Sequence, residues 1–485
     1  MRKSFGFLLG AALSLALPAF AAQVTGPVAA PDVPGSPSRD YIFFASNHDL
    51  AAHGYVEEEY FIRGTATTYK TGGAATSDVL ATDQPYYTRF VVRRPVDAKR
   101  FNGAAIVEWY NVSNFFDAEN VWFDDWEDMM RSGYVWVGVS PQVVGVETLK
   151  KWNAKRYADF TVGKEAPPTS TSAPRPANAP DIDAMSFDIF TQVGQALKHP
   201  SGVDPLGGLK LKVLLATGQS QSAGRLSTYA NNIQPIANVY DGFLLVASNT
   251  IIRSDLKVPV FKLMAEHDVL TGGAATEQPD TDKYREWEVA GTSHMSQHVR
   301  VSREQLELRD NGVSLEAGMA PLCANPQIGT RTPMGQVVAA ALASLSKWAA
   351  GGKPPAIAPK LNITQVNKAP QQSVAERNSD GLAQGGIQLA SQAVPTQINY
   401  GVNAPSKAAT ESGIRGEAIG AGACVRWGPS TDMTLARLKQ LYPTHADYVA
   451  KVRKVVADNV AKGFLLKVDG DAQILAAQNS GVGDW

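Results

Sequence analysis

The chain has 485 residues, of which 44% are hydrophobic and 19% are charged. This composition is typical of a globular protein and excludes a largely disordered chain, a collagen and a coiled coil. The 45 Lys and Arg residues and the 46 Asp and Glu residues give a net charge of -1, so no basic excess points to a dedicated nucleic-acid binder. The length allows either several domains or one large α/β domain with insertions.

Residues 1–21 have the layout of a secretory signal peptide. A basic start at Met1–Lys3 precedes an apolar run over Phe5–Leu17, and Ala19–Ala21 supplies a small-residue cleavage site. The apolar run is too short for a comfortable membrane span, and Pro18 closes it. We therefore expect an exported protein, periplasmic or secreted, whose mature chain begins near Ala22 and has no membrane span.

Residues 22–352 alternate short apolar strands with helical segments. This pattern predicts right-handed crossovers and a mostly parallel central sheet flanked by helices. The predicted strands are Val56–Tyr69, Tyr87–Arg94, Ala104–Tyr110, Tyr134–Val139, Leu209–Ala216, Phe243–Ala247, Val258–Met264 and Glu286–Val289. The predicted helices are Val121–Arg131, Phe187–Leu197, Ala223–Asn232 and Gln336–Ala350. The first two strands are joined through Gly72 and Gly73, so that edge of the sheet should be antiparallel.

Two segments depart from this alternation. Residues 150–182 include Lys164–Pro180, which holds five prolines and predicts a long lid-like surface loop. Residues 353–485 carry few strand signals, although Leu435–Leu465 has helical spacing. We expect this C-terminal segment to pack on the 22–352 core as a cap, without building a sheet of its own.

The two cysteines, Cys323 and Cys424, are too few for a disulfide scaffold and wrongly spaced for a zinc ribbon. Export to an oxidising compartment would permit a disulfide between them. We expect that bond in preference to two buried thiols. It would tie the C-terminal segment to the middle of the chain.

The most informative motif is Gly218-Gln219-Ser220-Gln221-Ser222, which follows a buried strand and precedes a helix. A serine nucleophile in such a strained strand-to-helix turn needs small residues two positions before and two after it. Gly218 and Ser222 meet this need, while Ala223 and Gly224 should keep the helix close to the sheet. Ser220 is therefore the candidate nucleophile; the alternative is a structural turn whose serines only cap the helix.

A serine nucleophile needs a base, and the base needs an acid that orients it. In a fold of this kind the chain order is serine, then acid, then histidine. His294 comes directly after the last predicted strand of the core and is the candidate base, with His298 as the fallback. The candidate acid follows the strand that ends at Met264. Asp268 is favoured there, and Glu266 remains an alternative.

Two backbone N–H groups should stabilise the oxyanion. The first donor is expected at Gln221, the residue after the nucleophile, and the second in the loop after Ala104–Tyr110. Asn111 or Val112 is the candidate for the second, by backbone or side chain. Asn111 could also simply close the turn.

The segments Asn102–Ser140, Gly218–Ser222 and Trp287–His294 together resemble the bacterial alpha/beta hydrolase domain family. The C-terminal segment resembles it too, in Gly385–Leu389 and Leu441–Tyr448. The resemblance covers about residues 40–480. It implies an α/β-hydrolase fold and an esterase-like site of serine, histidine and an acid. It does not decide between the two candidate acids.

These residues together predict a serine hydrolase, with a carboxylic-ester hydrolase acting on a small-molecule ester as the leading hypothesis. A peptidase or an acyltransferase with the same three residues is an alternative, and so is a non-catalytic ligand-binding protein on the same fold. No P-loop or zinc-protease motif is present in the sequence, and we expect no cofactor and no metal. Aromatic residues near the predicted site favour an apolar acyl or aromatic ester unless they belong to the core; they are Trp109, Tyr110, Phe115, Phe116, Trp122 and Trp126. The sequence does not indicate an oligomeric state.

Overall fold

The computed structural model describes residues 22–71, 77–163, 181–314, 318–367, 372–407 and 421–485. Nine strands form the central sheet: β1 (Gln23–Thr25), β2 (Tyr55–Tyr69), β3 (Val79–Pro95), β4 (Ala104–Trp109), β5 (Val135–Val139), β6 (Val213–Gln219), β7 (Gly242–Val246), β8 (Val260–Ala265) and β9 (Tyr284–Val289). Their order in the sheet is β1-β2-β3-β5-β4-β6-β7-β8-β9.

The helices of the first two-thirds of the chain are α1 (Asn120–Arg131), α2 (Val143–Trp152), α3 (Ala154–Tyr157), α4 (Ser186–Lys198), α5 (Gln221–Thr228), α6 (Gln234–Ala237), α7 (Glu266–Leu270), α8 (Gln297–Asn311) and α9 (Met334–Ala349). The C-terminal segment adds α10 (Ala390–Ala393), α11 (Leu435–Leu441), α12 (His445–Lys462) and α13 (Lys467–Gln478). No helix of the described residues is both long and apolar enough to cross a bilayer.

Strands β5, β4, β6, β7, β8 and β9 run parallel, whereas β1, β2 and β3 are antiparallel to their neighbours. The predicted mostly parallel sheet with an antiparallel N-terminal edge is therefore confirmed. Every residue of β4, β5, β6, β7, β8 and β9 is buried, as expected for parallel strands covered by helices on both faces. The carboxyl ends of β4, β6, β8 and β9 share one edge, which collects the loops after these strands.

The loop after β4 is anchored by Glu108, which is almost fully buried. Its carboxylate accepts hydrogen bonds from the N–H groups of Val121 and Trp122, at 2.8 and 3.0 Å, in the first turn of α1. The indole Nε1 of Trp136 donates a third at 2.9 Å. Burial nevertheless raises the pKa of Glu108 to about 8. These bonds fix where α1 begins and so fix the loop between β4 and α1.

Several predicted features have a different form or lie outside the described residues. The first part of the predicted 150–182 loop is helical, in α2 and α3, whereas residues 164–180 lie outside the described ranges. Helix α8 was not predicted. The predicted signal peptide at residues 1–21 and the link through Gly72 and Gly73 also lie outside those ranges.

The C-terminal segment contains sheet structure that the sequence did not predict. Two short antiparallel pairs form there: β10 (Ile363–Gln365) with β11 (Val374–Ala375), and β12 (Gln397–Asn399) with β13 (Ser430–Asp432). The segment also meets the edge of the central sheet, where Ile387 donates its N–H to the carbonyl of Glu288 at 2.7 Å. The expectation that this segment builds no sheet of its own is therefore wrong.

Cys323 and Cys424 form a disulfide, with Cα atoms 5.4 Å apart, so the predicted pairing is confirmed. The bond joins positions 101 residues apart in the chain. It connects the region before α9 to the C-terminal segment. A disulfide is consistent with an extracellular location, because such bonds persist in oxidising compartments.

Candidate active site

The site begins at the sharp turn between β6 and α5. Ser220 lies between them with φ 61° and ψ -118°, a conformation that a residue with a Cβ rarely adopts. A Cβ on Gly218 would lie 2.9 Å from the Oγ of Ser222, so the position two before the serine must stay small. The strained turn lifts the Ser220 side chain off the end of the strand.

Ser222 stands where this kind of turn more often has glycine, and the structure shows what its hydroxyl does. The Oγ of Ser222 accepts a hydrogen bond from the N–H of Gln219 at 3.0 Å and lies 2.9 Å from the Gln219 carbonyl, to which it donates. The side chain therefore closes the turn from inside. By contrast, a Cβ on Gly224 would meet nothing within 4 Å, so the expectation that Gly224 keeps the helix close to the sheet is wrong.

His294 lies in the loop after β9 and faces the serine. Its Nε2 is 2.8 Å from the Oγ of Ser220, and its Nδ1 is 2.6 Å from the Oδ1 of Asp268. Because a carboxylate only accepts hydrogen bonds, Nδ1 carries the proton and Nε2 can accept one from the hydroxyl. His298, the fallback, is exposed on the first turn of α8.

Asp268 lies in α7, directly after β8, and is buried. Its Oδ2 accepts a hydrogen bond from the N–H of Ala265 at 3.0 Å, which fixes the carboxylate to the end of the strand. Burial by itself would raise the pKa of Asp268. The imidazoles of His294 and His267 outweigh it and hold that pKa well below its ordinary value. Asp268 therefore stays ionised across the physiological range.

Glu266, the alternative acid, belongs to a different network. It accepts hydrogen bonds from the N–H groups of Gly291 at 2.8 Å and Gly401 at 3.2 Å, and from the guanidinium of Arg377. Two of these three donors come from the C-terminal segment. The structure brings Asp268, and not Glu266, against His294.

The three candidate oxyanion donors differ in what they already bind. The backbone N–H of Asn111 donates to Ala118 at 2.9 Å, and its side-chain amide donates to the carbonyl of Gln219 at 2.8 Å. Asn111 thus closes the loop, as the alternative interpretation had it. The N–H of Val112 lies 3.4 Å from the side-chain oxygen of Gln221, a long contact that an oxyanion could replace. Gln221 is the first residue of α5, so its own N–H has no acceptor within the helix.

Sequence reasoning missed Gln219, the residue before the serine. Its side-chain oxygen accepts from Asn120 at 2.9 Å, and its amide nitrogen donates to the carbonyl of His294 at 3.2 Å. It thereby links the first turn of α1 to the loop that carries His294. Its place inside the Gly218–Ser222 motif is the signal that could have identified it.

The aromatic residues near the site belong mostly to the core. Trp109, Tyr110, Phe116 and Trp122 are at most 5% exposed. The indole of Trp109 donates to Gln142 at 2.9 Å, inside the sheet–helix interface. These side chains therefore carry no information about the acyl group of a substrate.

One group of described residues could in principle hold a metal ion, because ligand atoms of His267, Asp268 and His294 lie within 4.8 Å of one another. The same nitrogens already face the Oδ1 of Asp268 at hydrogen-bond distance. An ion held by these nitrogens would have to displace both hydrogen bonds. The arrangement suits proton transfer better than metal coordination.

A comparison with known protein families agrees with this fold. The model of the alpha/beta hydrolase domain family matches residues 24–475. Solved structures of similar fold include a fungal esterase from Rhizomucor miehei (11% identity, 53% of this chain and 81% of that one, TM-score 0.28). They also include a serine hydrolase without a lid from Xanthomonas campestris (13% identity, 51% and 93%, TM-score 0.27). A search of curated proteins gave no significant match. The chain belongs to the alpha/beta hydrolase domain family.

Proposed function

We propose that this protein is a serine hydrolase that cleaves carboxylic esters of small molecules. The observation that carries the proposal is the continuous chain of hydrogen bonds from Ser220 through His294 to Asp268, at 2.8 and 2.6 Å. The proposed roles are nucleophile for Ser220, general base and acid for His294, and orienting carboxylate for Asp268.

The proposed reaction has two halves. In the first, the Oγ of Ser220 attacks the ester carbonyl carbon while the Nε2 of His294 takes the hydroxyl proton. The tetrahedral intermediate collapses, the C–O bond to the alcohol breaks, and His294 returns its proton to the leaving oxygen. In the second half a water molecule attacks the acyl carbon while His294 takes its proton. The bond between that carbon and the Oγ of Ser220 then breaks, His294 returns the proton to Oγ, and the acid is released.

The negative charge on the carbonyl oxygen needs two donors that are already in place. We assign these to the backbone N–H groups of Gln221 and Val112. The side-chain oxygen of Gln221 lies 3.4 Å from the backbone nitrogen of Val112, where the oxyanion would bind under this assignment. Binding of a substrate would put its carbonyl oxygen in this place, and attack by Ser220 would give that oxygen a negative charge, which makes it a stronger acceptor.

Two further proposals concern specificity and location. The lid-like loop within residues 150–182 and the C-terminal segment would together select the ester. The role proposed for the C-terminal segment is supported by the contacts of Arg377 and Gly401 with Glu266, which is two residues from Asp268. Export through the predicted signal peptide would place the reaction in the periplasm or outside the cell.

The test is turnover of paired substrates by the purified mature protein. We expect hydrolysis of p-nitrophenyl acetate and butyrate, and little or none of the matching p-nitroanilides. Ser220→Ala should abolish turnover, while Ser201→Ala, which changes an exposed serine outside the site, should not. Faster cleavage of the anilides would favour a peptidase, and preferential transfer to an added alcohol would favour an acyltransferase. Absence of ester turnover by well-folded wild-type protein would refute the proposal.

A further inference from the structure

Asp268 is contacted by two imidazoles, not one. Its Oδ1 lies 2.6 Å from the Nδ1 of His294 and 3.0 Å from the Nδ1 of His267, the residue immediately before it. The two imidazole rings are 5.0 Å apart between centroids and are inclined by 50°. Three donors therefore hold this one carboxylate, counting the N–H of Ala265 on its other oxygen.

The protonation of His267 follows from its surroundings. Its Nδ1 must carry a proton to contact a carboxylate oxygen, since that oxygen can only accept. Its Nε2 is buried and has no hydrogen-bond partner among the described residues. Burial lowers the pKa of His267 and outweighs the hydrogen bond and the charge of Asp268, which act in the opposite direction. The neutral form with the proton on Nδ1 is therefore the one that this site holds.

The charged groups around His267 come from several elements. Asp268 and Glu266 share its short helix, His294 comes from the loop after β9, and Arg426 comes from the C-terminal segment. Glu266 is neutralised by its ion pair with Arg377, so Asp268 is the acceptor that His267 meets directly. A polar ring whose second nitrogen is buried without a partner is costly to keep. The hydrogen bond from this ring to Asp268 offsets part of that cost.

We propose that His267 is a positioning residue, whose hydrogen bond aligns the carboxylate of Asp268 with His294 and partly offsets the negative charge of that carboxylate. The inference rests on the proposed function and adds a second histidine to it. His267 does not reach Ser220 or the reacting ester atoms. It acts through Asp268. Its hydrogen bond fixes the direction of Oδ1 and reduces the negative charge that this oxygen presents to His294.

Two consequences follow for catalysis. Without the donor, the carboxylate loses one of the three hydrogen bonds that hold it and is less well aligned with His294, so we expect kcat/KM at the plateau to fall about tenfold. Without the hydrogen bond from His267, the carboxylate of Asp268 also presents more negative charge to His294. This favours the protonated form of His294, the catalytic base. The acid limb of the kcat/KM profile, which reports deprotonation of that base in the free enzyme, should move to higher pH by about one unit.

Three substitutions separate the hydrogen bond from simple packing. Asn in His267→Asn places an amide N–H near the position of Nδ1, whereas Gln in His267→Gln places it near the position of Nε2. His267→Phe fills the same space with no donor. The matched control is His199→Asn and His199→Phe, at an exposed histidine outside the site. Ester turnover is measured between pH 5 and 9 for every variant whose thermal unfolding shows a folded protein.

The expected result is a shifted acid limb and lower plateau for His267→Phe and His267→Gln, with His267→Asn close to wild type. If His267→Phe does not fold, the contrast between Gln and Asn decides. Acid limbs that superimpose on wild type in all three variants would overturn the inference while leaving the proposed function intact. A folded wild type without ester turnover would instead overturn the proposed function, and this inference with it.

Discussion

Glu266 and Asp268 are two residues apart, yet their carboxylates serve separate hydrogen-bond networks. Asp268 faces His294 at 2.6 Å, and Glu266 faces Arg377 and two backbone N–H groups. The short helix α7 makes this possible, because side chains two positions apart on a helix point to different sides. One carboxylate serves the proposed chemistry and the other connects to the C-terminal segment.

This separation predicts opposite effects for two conservative substitutions. Asp268→Asn should lower kcat by about 10⁴-fold, because the amide favours the wrong tautomer of His294. Glu266→Gln should leave kcat within a few-fold of wild type and reduce the free energy of unfolding by about 2 kcal/mol, because it removes a charge-assisted bond to Arg377. Steady-state kinetics and chemical unfolding of both variants check this. A large loss of kcat in Glu266→Gln alone would reverse the assignment of the acid.

The proposed oxyanion donors predict a specific effect of removing one N–H. Val112→Pro should lower kcat by about 10²–10³-fold with little change in KM, because the lost bond forms mainly in the transition state. Val112→Ala keeps the N–H and is the matched control, for which we expect nearly wild-type kcat. Equal kcat in the two folded variants would show that Val112 is not the donor.

The buried disulfide between Cys323 and Cys424 should contribute measurably to stability. It closes a loop of about a hundred residues, so replacing both Cys323 and Cys424 by Ser should lower the free energy of unfolding by about 2–5 kcal/mol. Reduction of the wild-type protein should lower the unfolding temperature to that of the double variant. An unfolding temperature that neither treatment changes would contradict the prediction.

Asp125 belongs to a buried group of carboxylates in α1, and we expect its neutralisation to stabilise the protein. Burial first, and then the charges of Asp128, Asp469 and Asp124, raises the pKa of Asp125 well above its ordinary value. A raised carboxyl pKa means that the folded protein keeps a proton that the unfolded chain releases. The stability contributed by this group is therefore complete at low pH and lost as pH rises from about 4 toward the folded-state value.

Asp125→Asn removes this titration and should stabilise the protein by about 1 kcal/mol at pH 8, with a smaller gain at pH 5. Asp128→Asn is the contrasting control. Asp128 accepts hydrogen bonds from Arg131 at 2.8 Å and Ser132 at 2.9 Å, so its neutralisation should be destabilising. Thermal unfolding of both variants at the two pH values checks the prediction. A gain for Asp125→Asn that is larger at pH 5 than at pH 8 would contradict it.

The sequence predicted the parallel strands well because most of them are short, largely apolar runs between polar loops. The predicted strand Val258–Met264, for example, corresponds to β8 at Val260–Ala265. The unpredicted helix α8 has the opposite character. Its buried face includes Arg303, Glu307 and Asp310, so its pattern is not the apolar stripe that identifies a helix.

The candidate site, like the fold, was predicted from the sequence only in part. The order of Ser220, Asp268 and His294 along the chain pointed to three side chains that the structure places in hydrogen-bond contact, and their catalytic roles stay a prediction. Glu266 and Asp268 could not be separated by sequence, since both follow the same strand. The decisive partner, Arg377, lies 111 residues away from Glu266. His267 was missed because a histidine next to an acid in the sequence indicates nothing by itself. Only the structure shows that the imidazoles of His267 and His294 contact the same oxygen of Asp268.

The central claim is that Ser220 is a nucleophile activated by His294. The most direct test is reaction of the folded mature protein with a fluorophosphonate, followed by mass spectrometry of its peptides. We predict one adduct for each chain, located on Ser220, with no adduct in Ser220→Ala and strongly slowed labelling in His294→Ala. An unlabelled wild-type protein, or an adduct that persists in Ser220→Ala, would contradict the account.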